Sequence, residues 1–381
     1  MKLICFTIFT LFCTGLSAQS SDQPTTGVQP EFGFVLDSVF TSHEFDGTSA
    51  NLQMAEMSIS SRIDPLARAF AIIEFPDADE VEVPEAVLIF DGFDNGWEIR
   101  AGRMNMDLGK LNTVHSHDLA MPFGDPVRAA LFGGHLNGTG LETHKWFALG
   151  DTPMRFSLGA WADAGAHSHG DHGAEEELEE GRQQLNDWSF TGRLSSQLDL
   201  GDNGWWQWGV SYFGNAHGMS AEWENELDPS DGSYASGETD GLGMRTLGFD
   251  LSFRDGSLTD ESWNGASLEY WDHQQDHVHA EGAAQEGSIE RSAPQGAWLV
   301  AEHGFSSDWS MAAHMAWWEG EVDEELDVFK RYGLAVNRNF SEFNRLRVAV
   351  EQIEDPAADD SWAVSFQWSL FMGKHRHGLD W

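Results

Sequence analysis

Residues 362–370 read WAVSFQWSL. Trp362, Val364, Phe366, Trp368 and Leu370 share one parity, and Ala363, Ser365, Gln367 and Ser369 share the other. Successive side chains of a strand point to opposite faces, so a repeat of two predicts a β-strand with one apolar and one polar face. TLGFDLSFR repeats the pattern, with Leu247, Phe249, Leu251 and Phe253 against Thr246, Gly248, Asp250, Ser252 and Arg254. MRFSLGAWAD does so again, with Met154, Phe156, Leu158, Ala160 and Ala162 against Arg155, Ser157, Gly159, Trp161 and Asp163. Further runs begin near Phe32, Leu52, Ala67, Val81, Trp97, Gly138, Trp188, Trp205, Leu268, Ala297, Trp309, Val328 and Leu346. Together they give about 16 strands.

The links between these runs alternate. RIDPL, DGFDNG, ALGDTP, LGDNG, DGSLTDES, GFSSD and NFSEF are rich in Gly, Asp, Asn, Ser and Pro and read as tight turns. Between them lie longer stretches near 104–138, 164–187, 214–242 and 272–294, with shorter ones near 42, 76, 319 and 354. If every second link is a turn, the strands run up and down and the long loops gather at one end.

A soluble sandwich and a membrane barrel could both use such strands. Arg100, Arg155, Arg193, Arg254 and Arg347 all fall on the polar phase. On a lipid-facing surface each would cost about 2–4 kcal/mol at the midplane, whereas a polar interior accepts it. A sandwich would segregate them similarly, so the strand count decides. About 16 evenly spaced strands without a domain break fit a transmembrane antiparallel up-and-down β-barrel, with long extracellular loops and short periplasmic turns. Trp97, Trp146, Trp188, Trp206, Trp309, Trp317 and Trp362, near strand ends, suit the aromatic girdles at the lipid boundaries. Spanning strands of about 9–11 residues use roughly 160 positions and leave no room for a separate plug domain. A barrel of this size can hold an aqueous channel.

The ends and the composition narrow the function. Residues 1–18, with Lys2 ahead of an apolar run and small residues at Ser17 and Ala18, read as a secretion signal; 19–30 form a linker and 31–381 the outer-membrane barrel. Cys5 and Cys13, the two cysteines, both fall in the signal, so no disulfide framework is expected. The formal charge of −42 argues against nucleic acid as a partner and for attraction of cations. With 17 Trp and 25 Phe in 381 residues, the chain is too aromatic to remain unfolded. No G-x-S-x-G, P-loop or dinucleotide fingerprint occurs, and no enzymatic activity is expected. His115-Ser116-His117-Asp118 has a metallohydrolase flavour, but Asp follows directly and no further His comes next.

The segments PEAVLIF, WEIRAGRMNMDLGKLNTVHSHDL, MPFGDP and LFGGHLNGTGLE, within residues 84–142, resemble a family of bacterial barrels described as zinc-regulated outer-membrane proteins, in the style of phosphate-selective porins. The likeness rests on Gly102 and Arg103, the run Leu108 to Asn112, His115 and His117, and Phe132 with Gly133. Lys110 stands where the family more usually has arginine. The resemblance implies a monomeric or homotrimeric pore in the outer membrane of a Gram-negative bacterium, produced in response to zinc.

Candidate site residues fall in three groups. Glu98, Arg100, Arg155, Arg193, Asp250, Arg254, Arg347 and Glu351 sit on the polar phase and are expected to line the pore, where rings of charge tune ion selectivity. A link as long as 104–138 is expected to fold inward and narrow the pore, with Asn112, His115, His117 and Asp125 holding it or lining the constriction. HSHGDHGAEEELEE at 167–180 and WDHQQDHVHAE at 271–281 place His167, His169, Asp171 and His172, and then His273, His277 and His279, in outer loops as weak zinc ligands. No cofactor is required by this reading, and zinc is its weakly held ion. The partners are membrane lipid and divalent cations or other small solutes. Two functions follow: a porin-like channel for passive diffusion, linked to divalent-cation uptake through acidic His-bearing loops, or a non-conducting surface barrel that binds metal or a partner.

Overall fold

The structure, a computed structural model, describes residues 30–45, 47–75, 81–93, 95–167, 188–201, 204–224, 236–256, 262–279, 288–322 and 325–373. Its strands are β1 (Glu31–His43), β2 (Gly47–Asp64), β3 (Ala67–Glu74), β4 (Glu82–Phe90), β5 (Trp97–Asn105), β6 (His135–Leu149), β7 (Thr152–His167), β8 (Ser189–Leu200) and β9 (Gly204–Glu224). They continue as β10 (Ser236–Asp255), β11 (Trp263–His279), β12 (Ser288–Ser292), β13 (Gln295–Gly304), β14 (Trp309–Val322), β15 (Glu325–Ser341), β16 (Asn344–Glu354) and β17 (Ser361–Gly373). Apart from β12 and β13, each pairs antiparallel with its neighbours in sequence, and β1 pairs with both β2 and β17, which closes the sheet into a cylinder. Both β12 and β13 pair with β11, so they are one stave of the wall interrupted at Ala293 and Pro294. Proline has no N–H to give to the ladder, which accounts for the break. The barrel therefore has sixteen staves, in agreement with the count expected from periodicity.

The opening stretch shows which face is which. In β17, Phe366 and Trp368 are 45% and 54% exposed on the outside, while Ser365 and Gln367 are each 1% exposed on the inside. The same inversion holds in β10, where Leu247, Phe249, Leu251 and Phe253 are exposed and Thr246, Asp250 and Ser252 are buried. A sheet that turns aromatic and aliphatic side chains outward and buries its polar ones is a barrel made for lipid. A sandwich would bury the apolar face instead. Among the described residues no helix is long and apolar enough to cross a membrane. The strands do the crossing, and at up to 21 residues they reach well past the about 9–11 that a bilayer requires.

Local chemistry sets the turns. At the β2–β3 link, Asp64 Oδ1 accepts from the amides of Leu66 and Ala67 at 2.7 and 2.9 Å, an aspartate turn that reverses the chain around Pro65. Strand alternation puts links 65–66, 91–96, 150–151, 201–203, 256–262, 305–308 and 342–343 at one rim. The opposite rim carries the link 106–134, and the strand ends next to residues 168–187, 225–235 and 280–287 lie there as well. Much of 168–187, 225–235 and 280–287 coincides with the outer loops of the sequence reading, and these stretches lie outside the described residues.

An exterior charge tests the orientation. Leu334, 57% exposed on the outer face of β15, sits between Ala313 and Val350 of the neighbouring strands. Leu334→Arg is expected to lower folding stability in lipid vesicles by about 2–4 kcal/mol, read from denaturant unfolding. An unchanged midpoint would mean that this face does not meet lipid.

Candidate functional site

The link 106–134 leaves β5, enters the barrel and returns to β6. Asn112 ties its two ends together. Its Nδ2 donates to the carbonyls of Met106 and Leu136 at 2.8 Å each, and its Oδ1 accepts from Leu136 N at 2.9 Å. The Asn112 carbonyl in turn accepts from His135 Nδ1 at 2.9 Å. Two single 3-10 turns, Leu111–Thr113 and Ser116–Asp118, follow, and then a short helix α1 (Pro126–Phe132). Asp125 caps α1: its Oδ1 accepts from the amides of Val127 and Arg128 at 3.0 and 3.1 Å, with Pro126 in the first turn where a missing N–H costs nothing. Gly133 ends the helix at φ 73°, a left-handed conformation that glycine adopts without strain.

The segment carries its own apolar core into the barrel. Met106, Leu108, Leu111, Leu119, Met121, Val127, Leu131 and Phe132 pack with Trp161, Trp271, Trp298 and Trp318 from the wall. Phe132 meets Trp271 edge to face at a centroid distance of 5.5 Å. At Gly109, φ 67°, a Cβ would fall 2.7 Å from the Trp271 ring, so glycine lets the chain approach the wall here.

Charge fixes the segment from several sides. Asp107 accepts from Arg155, from Ser157 Oγ at 2.6 Å and from Arg193 at 3.1 Å, and Arg193 continues to Asp250 at 2.8 Å. The amide of Asp107 donates to Glu142 at 2.9 Å, and Glu142 meets His144 at 2.6 Å, whose other nitrogen accepts from Arg155. Glu269 Oε1 takes the amides of Lys110 and Leu111, both at 2.7 Å. From β16, Arg345 and Arg347 donate to the carbonyls of His117 and Leu119. Burial alone would raise the Asp107 carboxyl, but the guanidiniums of Arg155 and Arg193 outweigh it and hold the group well below the carboxylate range. Burial lowers Lys110 to about 8, with repulsion from Arg193 and Arg254 added and attraction to Asp250 and Glu269 opposing. Its ammonium lies 4.0 Å above the Trp205 ring.

The eight polar-phase residues all lie on the inner wall. Glu98, Arg100, Arg155, Arg193, Asp250, Arg347 and Glu351 are buried, and Arg254 is half-buried over Trp263. Arg155, Arg193 and Asp250 form one network through Asp107, Arg347 grips the segment's backbone, Glu98 pairs with Arg100, and Glu351 pairs with His314 at 3.1 Å. His115 stands between Glu56 and Glu85, with nitrogen to oxygen distances of 3.1 and 3.0 Å. Burial would lower this imidazole, yet the two carboxylates lift it well above the ordinary histidine range. Of the outer tracts, His167 closes β7 and His277 and His279 lie in β11, with their side chains outside the described residues; His169 and Asp171 with His172 lie outside them altogether. His273 is also a β11 residue rather than a loop residue, and it is buried. It hydrogen-bonds Thr246 at 2.8 Å and packs on Phe132, facing the inward segment.

Sequence reasoning overlooked Asp107, Glu142 and Glu269, which receive or neutralise the segment. Glu142 and Glu269 lie on the buried parity of β6 and β11, so the period of two contained the signal. Asp107 lies beyond the end of β5, where no period applies.

No family model and no curated protein sequence matches the chain. Solved structures are similar in fold. OmpT, an outer membrane protein of Vibrio cholerae, aligns with a TM-score of 0.58 at 8% identity, over 92% of this chain and 100% of that one. The outer membrane channel DcaP of Acinetobacter baumannii gives 0.54 at 10% identity, over 93% and 100%. OprB of Pseudomonas putida gives 0.52 at 9% identity, over 91% and 94%. The shared fold is the porin-like outer-membrane barrel.

Two outcomes follow from the charges. Asp107→Asn leaves Arg155 and Arg193 short of a buried counter-charge and is expected to cost about 3–5 kcal/mol in unfolding experiments; a loss under 1 kcal/mol would mean that water reaches these arginines. With burial holding Lys110 down at about 8, its proton is expected to leave between about pH 7 and 9, taking a positive charge from the interior. Reversal potentials in a salt gradient should move towards cation preference over this range, and K110M should remove the movement.

Proposed function

We propose that the chain is a porin-like channel of the Gram-negative outer membrane that lets small ions and solutes diffuse past a constriction made by residues 106–134. The observation that carries this reading is the charged anchorage of that segment inside a closed, lipid-facing cylinder. Asp107 faces Arg155 and Arg193 while Glu269 and Arg347 hold the backbone on other sides, so opposite charges flank the segment within the lumen. Fixed charges at a narrowing select among ions without any reaction.

The excess of acid supports cation attraction at the entrance. Sixty-three Asp and Glu against 21 Lys and Arg give a negative field that raises cation concentration near the mouth. The tract with His167, His169, Asp171 and His172 adds borderline donors suited to zinc, so the proposed cargo class includes divalent cations. The sequence likeness of residues 84–142 to zinc-regulated barrels points the same way. A homotrimer is the proposed assembly; one of the similar structures, OmpT of Vibrio cholerae, is described in a trimer form.

Planar-bilayer recording tests the proposal. Purified protein should give discrete conductance steps, and replacing residues 111–134 by a short Gly-Ser link should raise the step several-fold. Changing His167, His169 and His172 together to Ala should reduce the preference for zinc over potassium. A barrel silent in both the parent and the shortened form would be a non-conducting surface protein, and the channel reading would be lost.

A further inference from the structure

His115 and His117 lie on the inward segment, and Glu56 lies on β2, a strand at the other end of the described chain from the arginines of β16 that hold the same backbone. One ligand atom from each of Glu56, His115 and His117 lies within 4.8 Å of the others, and all three residues are buried. The arrangement has a regular polarity. Both Nδ1 atoms turn to one carboxylate oxygen, Glu56 Oε2, at 3.1 Å from His115 and 3.9 Å from His117. Both Nε2 atoms turn away to a second carboxylate, Glu85 for His115 at 3.0 Å and Asp118 for His117 at 3.6 Å. We propose that Glu56, His115 and His117 bind one divalent transition-metal ion of the zinc class, which clips the inward segment to β2.

Without an ion the same atoms form an ion pair, with His115 between Glu56 and Glu85; a bound dication takes the place of the Nδ1 proton, which is released. Zinc-class ions take imidazole nitrogen and carboxylate oxygen at about 2.0–2.2 Å, and tetrahedral ligands then stand about 3.3 Å apart. Two of the three edges, 3.1 and 3.9 Å, bracket that value, and the third, between the imidazole nitrogens, lies within 4.8 Å, so the donors draw together to hold an ion. Metal-bound imidazoles nearly always pass their other N–H to a carboxylate, which fixes the ring and strengthens the donor. His115 has such a carboxylate in Glu85 at 3.0 Å, and Asp118 stands near His117 Nε2 at 3.6 Å, just outside hydrogen-bond reach. Glu56 and Glu85, both buried, set two carboxylates beside His115, and a dication offsets their charge where water screens little, while Asp118 is partly exposed and lies near Arg345 and Arg347. Three protein donors leave a fourth position for water or a passing ligand.

Binding is independent of conduction, so the test uses cobalt as a spectroscopic probe. The full chain in detergent, stripped with chelator, carries H167A, H169A, H172A, H277A and H279A so that the outer tracts cannot compete. Titration with Co2+ should saturate at one ion per chain with the intense visible absorption of a tetrahedral site. E56Q and H117Q, two changes on different elements, should each weaken binding on the order of 100-fold or more. E85Q, which keeps all three donors, should weaken it by about 10–100-fold. Undiminished binding in either E56Q or H117Q overturns the proposal, as does the lack of a one-to-one site in the parent chain.

Discussion

Inside a bilayer no water can take an unpaired backbone group, so a sheet that crosses must have no edge. The pairing of β1 with β17 meets this condition, with residues from Gly33 to His43 set against Gly373 to Ala363. Everything else in the molecule follows from having an inside. Once the wall is closed and lipid takes the aromatic face, each strand's other parity is committed to a shared lumen. Polar groups there must find partners in one another or in the segment that enters. Buried polar groups are costly when left unsatisfied, and this cost selects the arrangement inside.

The inward segment answers that demand in two ways. Its apolar side chains meet four inward tryptophans, which the polar parity would not by itself lead one to expect in a channel. Its backbone and Asp107 meet the charges. Buried ion pairs contribute little net stability compared with apolar replacements, because desolvation offsets their attraction. They do penalise misplacement severely. A segment shifted by one residue would take Asp107 from Arg155 and Arg193, which keep His144 and Asp250 of the wall, and the amides of Lys110 and Leu111 from Glu269, so the network specifies position more than it adds stability.

The sequence exposed the barrel because strand parity survives translation into structure almost unchanged: the alternation in WAVSFQWSL is the alternation of exposure in β17. The inward parity of the arginines was legible for the same reason. The partners were not, since contact between Asp107 and Arg193 joins residues 86 positions apart and depends on where an irregular segment settles. Period-two reasoning also has no purchase on the His-rich stretch near 273. There β11 runs on to His279 and pairs with β12, so a tract that composition assigns to a loop is partly wall. The interruption at Pro294 hides the continuity of that stave.

The distribution of anchors decides whether the segment 106–134 can swing or is fixed in place. Asp107 holds to β7 and β8, Leu111 to β11, and the carbonyls of His117 and Leu119 to β16, while His115 meets Glu56 on β2 and Glu85 on β4. These strands lie on different sides of the cylinder. A hinge needs a free edge about which a segment can swing, with contacts that break on one side while others persist. Moving this segment in any direction would strain anchors on the opposite wall, and its α1 end is packed against Trp271 as well. In the proposed channel, passage would then depend on the fixed charges and the space beside them, as in a sieve, and selectivity would respond to the protonation of groups such as Lys110 more than to loop motion.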